Sequence, residues 1–250
     1  MKIIQSKSLK QFTNLTHGFT TKHGGKSVSP YSSLNLAFHV NDDVNTVTHN
    51  HTLLAKKLHY DKRALVHMNQ IHSNFVHTIE KNDTFENPPT CDALITHRTN
   101  IPLMVMVADC SPILFYDDVQ KVIAVAHAGR AGAFKNIIGN VIDKFKKNYH
   151  SNVEDILVSV GPSIGECCYE VGHEIYDEAK ALNLEYALNK KESHYHLDIS
   201  EILKNQLLNT GVKKEHIEIS QECTFCQNST YFSYRADGIT GRCAGVISLN

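Results

Sequence analysis

The chain has 250 residues, with 25 Lys and Arg against 26 Asp and Glu and a formal net charge of −1. That length suffices to bury a sizeable core, and the balanced charge argues against a dedicated nucleic-acid or membrane-surface binder, which usually carries a basic excess. Met1 to Asn14 holds Lys2, Lys7 and Lys10 but no apolar h-region, and no apolar run approaches bilayer length, so the expectation is a cytoplasmic protein with neither membrane nor nucleic acid as partner.

Seven cysteines, an odd number and without an export signal, read as thiols or metal ligands rather than a disulfide framework. Of the sixteen histidines, His49, His51, His59, His150, His194, His196 and His216 sit among polar residues and read as solvated surface.

In chain order, the spacing of Val47, Leu54 and Leu58 predicts a helix over Val44 to Leu58. Arg63 to Met68 and Phe75 to Ile79 read as short strands flanking a turn that contains His72. Glu80 to Thr90, polar and carrying Pro88-Pro89, is a surface loop. Ile101 to Ala108 is a buried strand, Ile113 to Tyr116 a second after Pro112, and Lys121 to Ala126 a third after a turn at Asp117 to Gln120. Ala131 to Tyr149 reads as one helix, with Phe134, Ile137, Ile138, Val141 and Phe145 as its inner stripe. Ile156 to Val160 is a strand, His173 to Leu182 and Ile199 to Thr210 are helices, and Ile217 to Ser220 and Gly245 to Leu249 are closing strands. Asn183 to His196 is a soft segment, and neither it nor Glu80 to Thr90 marks a domain boundary. Hairpins mixed with helical connections imply an α+β fold in a single domain over residues 1–250: a layered mixed β-sheet with helices packed on the outside.

The central hairpin carries the first chemical signal. With its turn centred on Asp118 and Val119, strand partners have numbers summing to 237, so Tyr116 faces Lys121 and Cys110 faces His127. Opposed residues point to one face, and a thiol beside an imidazole suits either a metal ion or a Cys–His catalytic pair. A buried cysteine acting as a small hydrophobe is the plainer alternative. Beyond His127, the run Gly129-Arg130-Ala131-Gly132 leads from strand into helix, a seat for an anion such as phosphate, with Arg130 able to add a guanidinium fork. Cys223 and Cys226 have the spacing of half a zinc knuckle, and Cys167 and Cys168 are the pair that completes four thiolates. Adjacent cysteines rarely both reach one tetrahedral ion, so these four are read as buried structural thiols.

Further blocks then assemble a pattern. They are His17 to Gly25, Ser33 to Leu36, His39 to Asp43, Gln70-Ile71-His72, Asp92 to Thr96, Ala108 to Pro112, His127-Ala128-Gly129, Gly161 to Gly172, and Cys223-Thr224 through Ser233-Tyr234-Arg235 to Thr240-Gly241-Arg242. In number, order and spacing they resemble the polyphenol oxidase (laccase)-like family, whose members include purine nucleoside phosphorylases and some proteins linked to peptidoglycan editing. The resemblance implies a catalytic zinc on His72, Cys110 and His127, phosphorolysis of adenosine, inosine and methylthioadenosine, and hydrolytic deamination of adenosine. Nucleoside and phosphate are then the small-molecule partners, with Arg130, Lys22, Asn35 and Gln70 as candidate substrate contacts. Asn35 and Gln70 equally suit a role in satisfying loop backbone. Asp109 alternates to the opposite strand face from Cys110 and is at most a supporting residue.

Two positions depart from the family pattern. Where many members have His-Ala-Gly-Trp-Arg-Gly, this chain has Arg130 then Ala131, which moves the arginine by one residue, about 100° around a helix. Lys22 stands where an arginine is common, exchanging a planar fork for a point charge. Two other activities remain open on sequence grounds. One is a copper-dependent polyphenol oxidase, disfavoured because no motif places an axial methionine. The other is a metal-free Cys–His hydrolase acting on peptidoglycan precursors, with Cys110 as nucleophile and His127 as base.

Overall fold

The structure, a computed structural model, describes residues 1–191 and 194–250. In chain order its elements are β1 (Ile3–Ile4), β2 (Leu15–Thr20), α1 (Val44–Leu58), β3 (Val76–Thr78), β4 (Ala93–Thr96), β5 (Leu103–Val107), β6 (Ser111–Asp117) and β7 (Val122–Ala128). There follow α2 (Arg130–Phe134), α3 (Ile137–Tyr149), β8 (Ile156–Val160), β9 (Glu170–Val171), α4 (His173–Ala181), β10 (Leu188–Lys191), β11 (His194–Leu197), α5 (Ile199–Thr210), β12 (Ile217–Ile219), α6 (Tyr234–Asp237) and β13 (Cys243–Leu249). One sheet has the order β12-β8-β6-β7-β4-β3, a second β1-β2-β13-β5, and a small third β10-β11-β9. β12 runs parallel to β8 and β3 parallel to β4, while β6, β7 and β8 pair antiparallel, so the large sheet is mixed. The expected α+β class is borne out.

Side-chain alternation along the central strands sets the layers. Ile113 and Phe115 of β6 and Ala124 and Ala126 of β7 pack under Ile138, Val141 and Phe145 of α3 and Leu203 of α5. Leu114, Tyr116, Ile123 and Val125 point the other way, onto Leu103 and Val105 of β5 and Ile247 of β13. The far face of that second sheet, with Met104, Met106 and Val246, is covered by Leu54 and Leu58 of α1. Two sheets thus lie face to face with helices outside both, and each fully buried large apolar side chain contributes about 1.5–3 kcal/mol.

Four expectations need correction. Arg63 to Met68 is not a strand: Lys62–Ala64 forms a 3-10 turn, and only Val66 bridges, to Leu103. The long helix is two, because Asn136 takes a left-handed conformation (φ 55°) and its side chain caps α3 by accepting from the Gly139 amide. The soft stretch Asn183 to His196 contains β10 and β11, which pair in register Leu188 to Leu197, with Glu192 and Ser193 outside the described residues. His51 is fully buried on the inner face of α1, with Nε2 2.8 Å from the Leu36 carbonyl, rather than solvated.

The hairpin register is also different. Partners sum to 239, so Tyr116 faces Ile123 and Pro112 faces His127. Asp117 Oδ1 accepts from the Val119 and Gln120 amides (2.8 and 3.0 Å), and Lys121 turns left-handed (φ 52°), which lengthens the loop. A change of two in the sum leaves every side chain on its original face. Cys110 and His127 therefore still share the layer between the sheets, and the register runs on to bring Cys110 beside Gly129.

Candidate metal centre

His127 lies near the end of β7, buried, and Cys110 immediately precedes β6 after Asp109, whose φ of 81° turns the chain. His72 projects from the loop before β3, itself in a left-handed conformation (φ 57°). The two imidazole rings stand edge to face with centroids 4.9 Å apart. One ligand atom each from His72, Cys110 and His127 lies within 4.8 Å of the others. The sequence left His72 to the family resemblance, and the fold brings it to the hairpin pair.

Asp92, at the entrance to β4 and fully buried, organises this meeting. Its Oδ1 accepts from the His127 Nδ1–H at 2.8 Å and from the His72 amide at 3.0 Å. Its Oδ2 accepts from the Ile71 amide (3.2 Å), the Ser73 amide (2.6 Å) and the Ser73 hydroxyl (2.7 Å). One carboxylate therefore fixes the tautomer of one histidine, leaving Nε2 as its free ligand atom, and the backbone carrying the other. Burial pushes the Asp92 carboxyl up, but the His127 and Ser73 hydrogen bonds outweigh it and hold the group ionised, below its ordinary range. Asp92 opens one of the family-like sequence blocks, but nothing in the sequence pairs it with three amides about twenty residues earlier.

Electrostatically the pair is tuned for a cation. Burial pushes the Cys110 thiol up, yet His127 and His72 beside it bring it below the ordinary thiol range. Burial pushes His127 down, and Cys110 and Asp92 more than reverse that. A thiolate facing imidazolium is the favoured charge state, and a divalent cation competes with the proton there. The donor set fits such an ion: two imidazoles and a thiolate leave a fourth position for water or substrate. Gly129 makes the cradle, since a Cβ there would stand 2.8 Å from Cys110 Sγ and 3.5 Å from His72 Cδ2. Its backbone is extended, so the demand for glycine is one of space. Gly129→Ala is expected to displace the thiol and lower metal content with little change in helix content, as metal analysis beside circular dichroism will report.

Two cavities meet at Cys110 and Tyr234. The larger, about 580 Å³, is lined by His72, His127, Gln70, Phe38 and Arg242 as well. The smaller, about 280 Å³, is lined also by Ser111, Arg130, Tyr169 and Arg235. Both volumes suit small molecules. Arg130 is ion-paired to Glu178 and lies 5.6 Å over the Phe134 ring. Arg235 donates to the Glu170 carbonyl at 2.9 Å and covers Tyr169 at 5.1 Å. The buried Ser111 hydroxyl has no hydrogen-bond partner among the described residues.

The other candidate substrate contacts divide. Gln70 lines the larger cavity but holds the Met106 backbone with both ends of its amide, at 2.8 and 2.9 Å, tying the His72 loop to β5. Asn35 is fully buried, bonding Ala37 on both sides, Asp42 and the Arg242 amide, so it braces the loop that presents Arg242. Lys22 lines neither cavity, and its ammonium donates to the Asn228 carbonyl. Asp109 turns from the triad, accepting from the Thr224 hydroxyl (2.6 Å) and the Arg235 amide (2.6 Å). Arg235, Arg242 and Ser111 lie within the family-like sequence blocks, but only the folded cavities single them out.

The four remaining paired cysteines are not uniformly buried. Cys223 is, but Cys167 and Cys226 are exposed and Cys168 is intermediate, and all four Sγ atoms lie within 4.8 Å of one another. No helix of the described residues is long and apolar enough to cross a membrane.

With this geometry in view, the relatives are informative. The chain is 35% identical over 243 residues to purine nucleoside phosphorylase YlmD of Geobacillus stearothermophilus, covering 92% of this chain and 89% of that one. It is 36% identical over 232 residues to purine nucleoside phosphorylase Cgl2154/cg2365 of Corynebacterium glutamicum, covering 92% and 93%. The crystal structure of the hypothetical protein YfiH of Bacillus licheniformis superposes with a TM-score of 0.92 at 34% identity, covering 96% of this chain and 95% of the other. Residues 16–250 match the family described as multi-copper polyphenol oxidoreductase laccase. Sequence and fold agree over nearly the whole length, and the chain belongs to that family.

Proposed function

We propose that the protein is a zinc-dependent purine nucleoside phosphorylase acting on adenosine, inosine and methylthioadenosine, and that it also deaminates adenosine by hydrolysis. One observation carries this reading: the three-ligand cluster stands where a cavity of small-molecule size meets a smaller one flanked by Arg130 and Arg235. The names borne by the relatives support the same reaction.

In phosphorolysis a phosphate oxygen bonds to the ribose carbon as the bond from that carbon to the purine nitrogen breaks, and the base leaves with the bonding electrons. The two substrates must be held in line, and orientation of this kind contributes ~7–11 kcal/mol at best. The guanidinium groups of Arg130 and Arg235 take the phosphate in the smaller cavity, with the Ser111 hydroxyl as a further donor. The nucleoside occupies the larger cavity, where Phe38 offers an apolar wall and Arg242 a half-buried cation. Tyr234 borders both cavities, beside Cys110. His72, Cys110 and His127 would hold the zinc, which when bound would supply a Lewis acid for charge that develops as the base leaves and the activated water that deamination needs.

A nucleoside panel assayed with and without inorganic phosphate tests the proposal. Base release that requires phosphate and yields a sugar phosphate is expected, and base release at the same rate without phosphate would refute it. Arg130→Gln is expected to raise the phosphate KM roughly ten-fold or more, since a charged hydrogen bond contributes ~1.5–3 kcal/mol, with the nucleoside KM little changed.

A second reading has its own observation. Cys110, His127 and Asp92 form a nucleophile–base–carboxylate chain, the arrangement of a Cys–His hydrolase. Turnover of a peptidoglycan precursor that survives chelation and is lost on alkylation of Cys110 would favour it.

A further inference from the structure

We infer that Cys167, Cys168, Cys223 and Cys226 form a second metal centre, a closed tetrathiolate site for zinc that clamps the wall of the smaller cavity. Four sulfurs around one zinc at 2.3 Å stand about 3.8 Å apart when the geometry is tetrahedral. Here Cys168 Sγ and Cys167 Sγ lie 3.3 and 3.7 Å from Cys226 Sγ, and no pair of the four exceeds 4.8 Å. None is bonded to another.

The backbone around the cluster is shaped for the purpose. The turn after Gly165, closed by the Cys168 and Tyr169 amides on the Gly165 carbonyl (3.0 and 3.1 Å), lets two adjacent cysteines reach one point. That local fold is what overturns the expectation from adjacency alone. The Gly165 amide donates to Cys223 Sγ at 3.2 Å, an N–H···S bond that supports a thiolate. A Cβ on Gly165 would stand 3.3 Å from both Cys167 Sγ and Cys223 Cβ, so the close approach depends on glycine. Cys223 and Cys226 come from the other side, on a turn closed by the Gln227 amide on the Cys223 carbonyl at 3.0 Å. Two turns, each contributing two thiolates and together leaving no open position, make a structural site rather than a catalytic one.

Its place in the fold gives it a task. Ile164 and Tyr169, beside the first turn, line the smaller cavity. Thr224, in the second turn, donates its amide to the Ser163 carbonyl (3.0 Å) and its hydroxyl to Asp109, the neighbour of Cys110. A metal joining the turns therefore fixes the part of the cavity wall that Ile164 and Tyr169 form. The inference is independent of the phosphorolysis reading and would stand if that reading failed.

Protein purified under reducing conditions without chelator is expected to hold about two zinc ions per chain, one for each ligand cluster. Cys226→Ser and Cys167→Ser should each lose one ion and melt at a lower temperature, and Cys110→Ala should lose the other. Cobalt exchange separates the sites: the intense thiolate charge-transfer spectrum of a tetrathiolate persists in Cys110→Ala and is absent from Cys226→Ser. Should Cys226→Ser not fold, the wild-type chain decides, because chelation must expose five additional reactive thiols, Cys110 and the four of the cluster, rather than Cys110 alone. A single ion per chain that is lost in Cys110→Ala and kept in both serine variants, unchanged metal content in both serine variants, or a native mass two hydrogens short through a disulfide within the cluster would each overturn the inference.

Discussion

Cys110→Ala is expected to empty the triad of metal and to lower phosphate-dependent base release by about a thousand-fold or more, while the protein stays folded. The thiolate is one of three ligands, and the two imidazoles left behind do not make a zinc site of useful affinity. Metal catalysis contributes several kcal/mol, and each 1.36 kcal/mol is a factor of ten in rate. The fold should tolerate the change because Cys110 sits at the mouth of the inter-sheet layer, half-buried, with its packing partners in β6 and β7 intact. Metal analysis, turnover and thermal melting on one preparation check all three parts. Full turnover in the variant would remove Cys110 from the chemistry.

Asp92→Asn is expected to weaken metal binding roughly ten- to a hundred-fold, the usual effect of losing a carboxylate behind a metal-bound histidine. The substitution preserves volume, so the loss is one of hydrogen-bond polarity. All five of its partners are donors: three backbone amides, the Ser73 hydroxyl and the His127 ring N–H. An asparagine must turn its NH2 toward some of them whichever way it flips. If the amide nitrogen faces His127, the ring tautomer reverses and Nε2 is protonated, which removes the ligand. If it faces Ser73, the loop carrying His72 loses its anchor. Buried donors left unpaired cost about 1–3 kcal/mol each, so the melting temperature should also fall. A zinc titration of the variant against wild type measures the first effect. Unchanged affinity would show that Asp92 does not orient the ligands.

Much of the fold was legible because period-2 and period-3.6 patterns survive in strands and helices buried by the core. β5, β6, β7 and β8 lie within a few residues of their expected positions, and the inner stripe of α3 is buried as its spacing implies. What failed was governed by single residues. Asn136 breaks the helix because its side chain offers a cap in a left-handed conformation, and Lys121 lengthens the hairpin loop by accepting the same conformation. Arg63 to Met68 carries apolar residues for wedging a loop into the core rather than for pairing.

The site divides in the same way. Cys110 with His127 survives a wrong register because the error was even and kept both side chains on one face. His72 and Asp92 lie far from that hairpin in sequence, and only the pairing of β3 with β4 and of β4 with β7 brings them to it. Asn35 and Gln70 have polar side chains of the kind that contacts substrates, but backbone groups occupy them. Cavity-lining arginines are visible in sequence only as charges, and it is α6 and the loop from it to β13 that set Arg235 and Arg242 into the cavities Cys110 lines.

The most direct test of the metal triad as an active centre is turnover of the wild-type chain stripped of metal by a chelator, then supplied with zinc. Phosphate-dependent base release that falls to background on stripping and returns with added zinc is the predicted result. Full turnover by protein shown to be metal-free would contradict it and leave Cys110 and His127 as a nucleophile and its base.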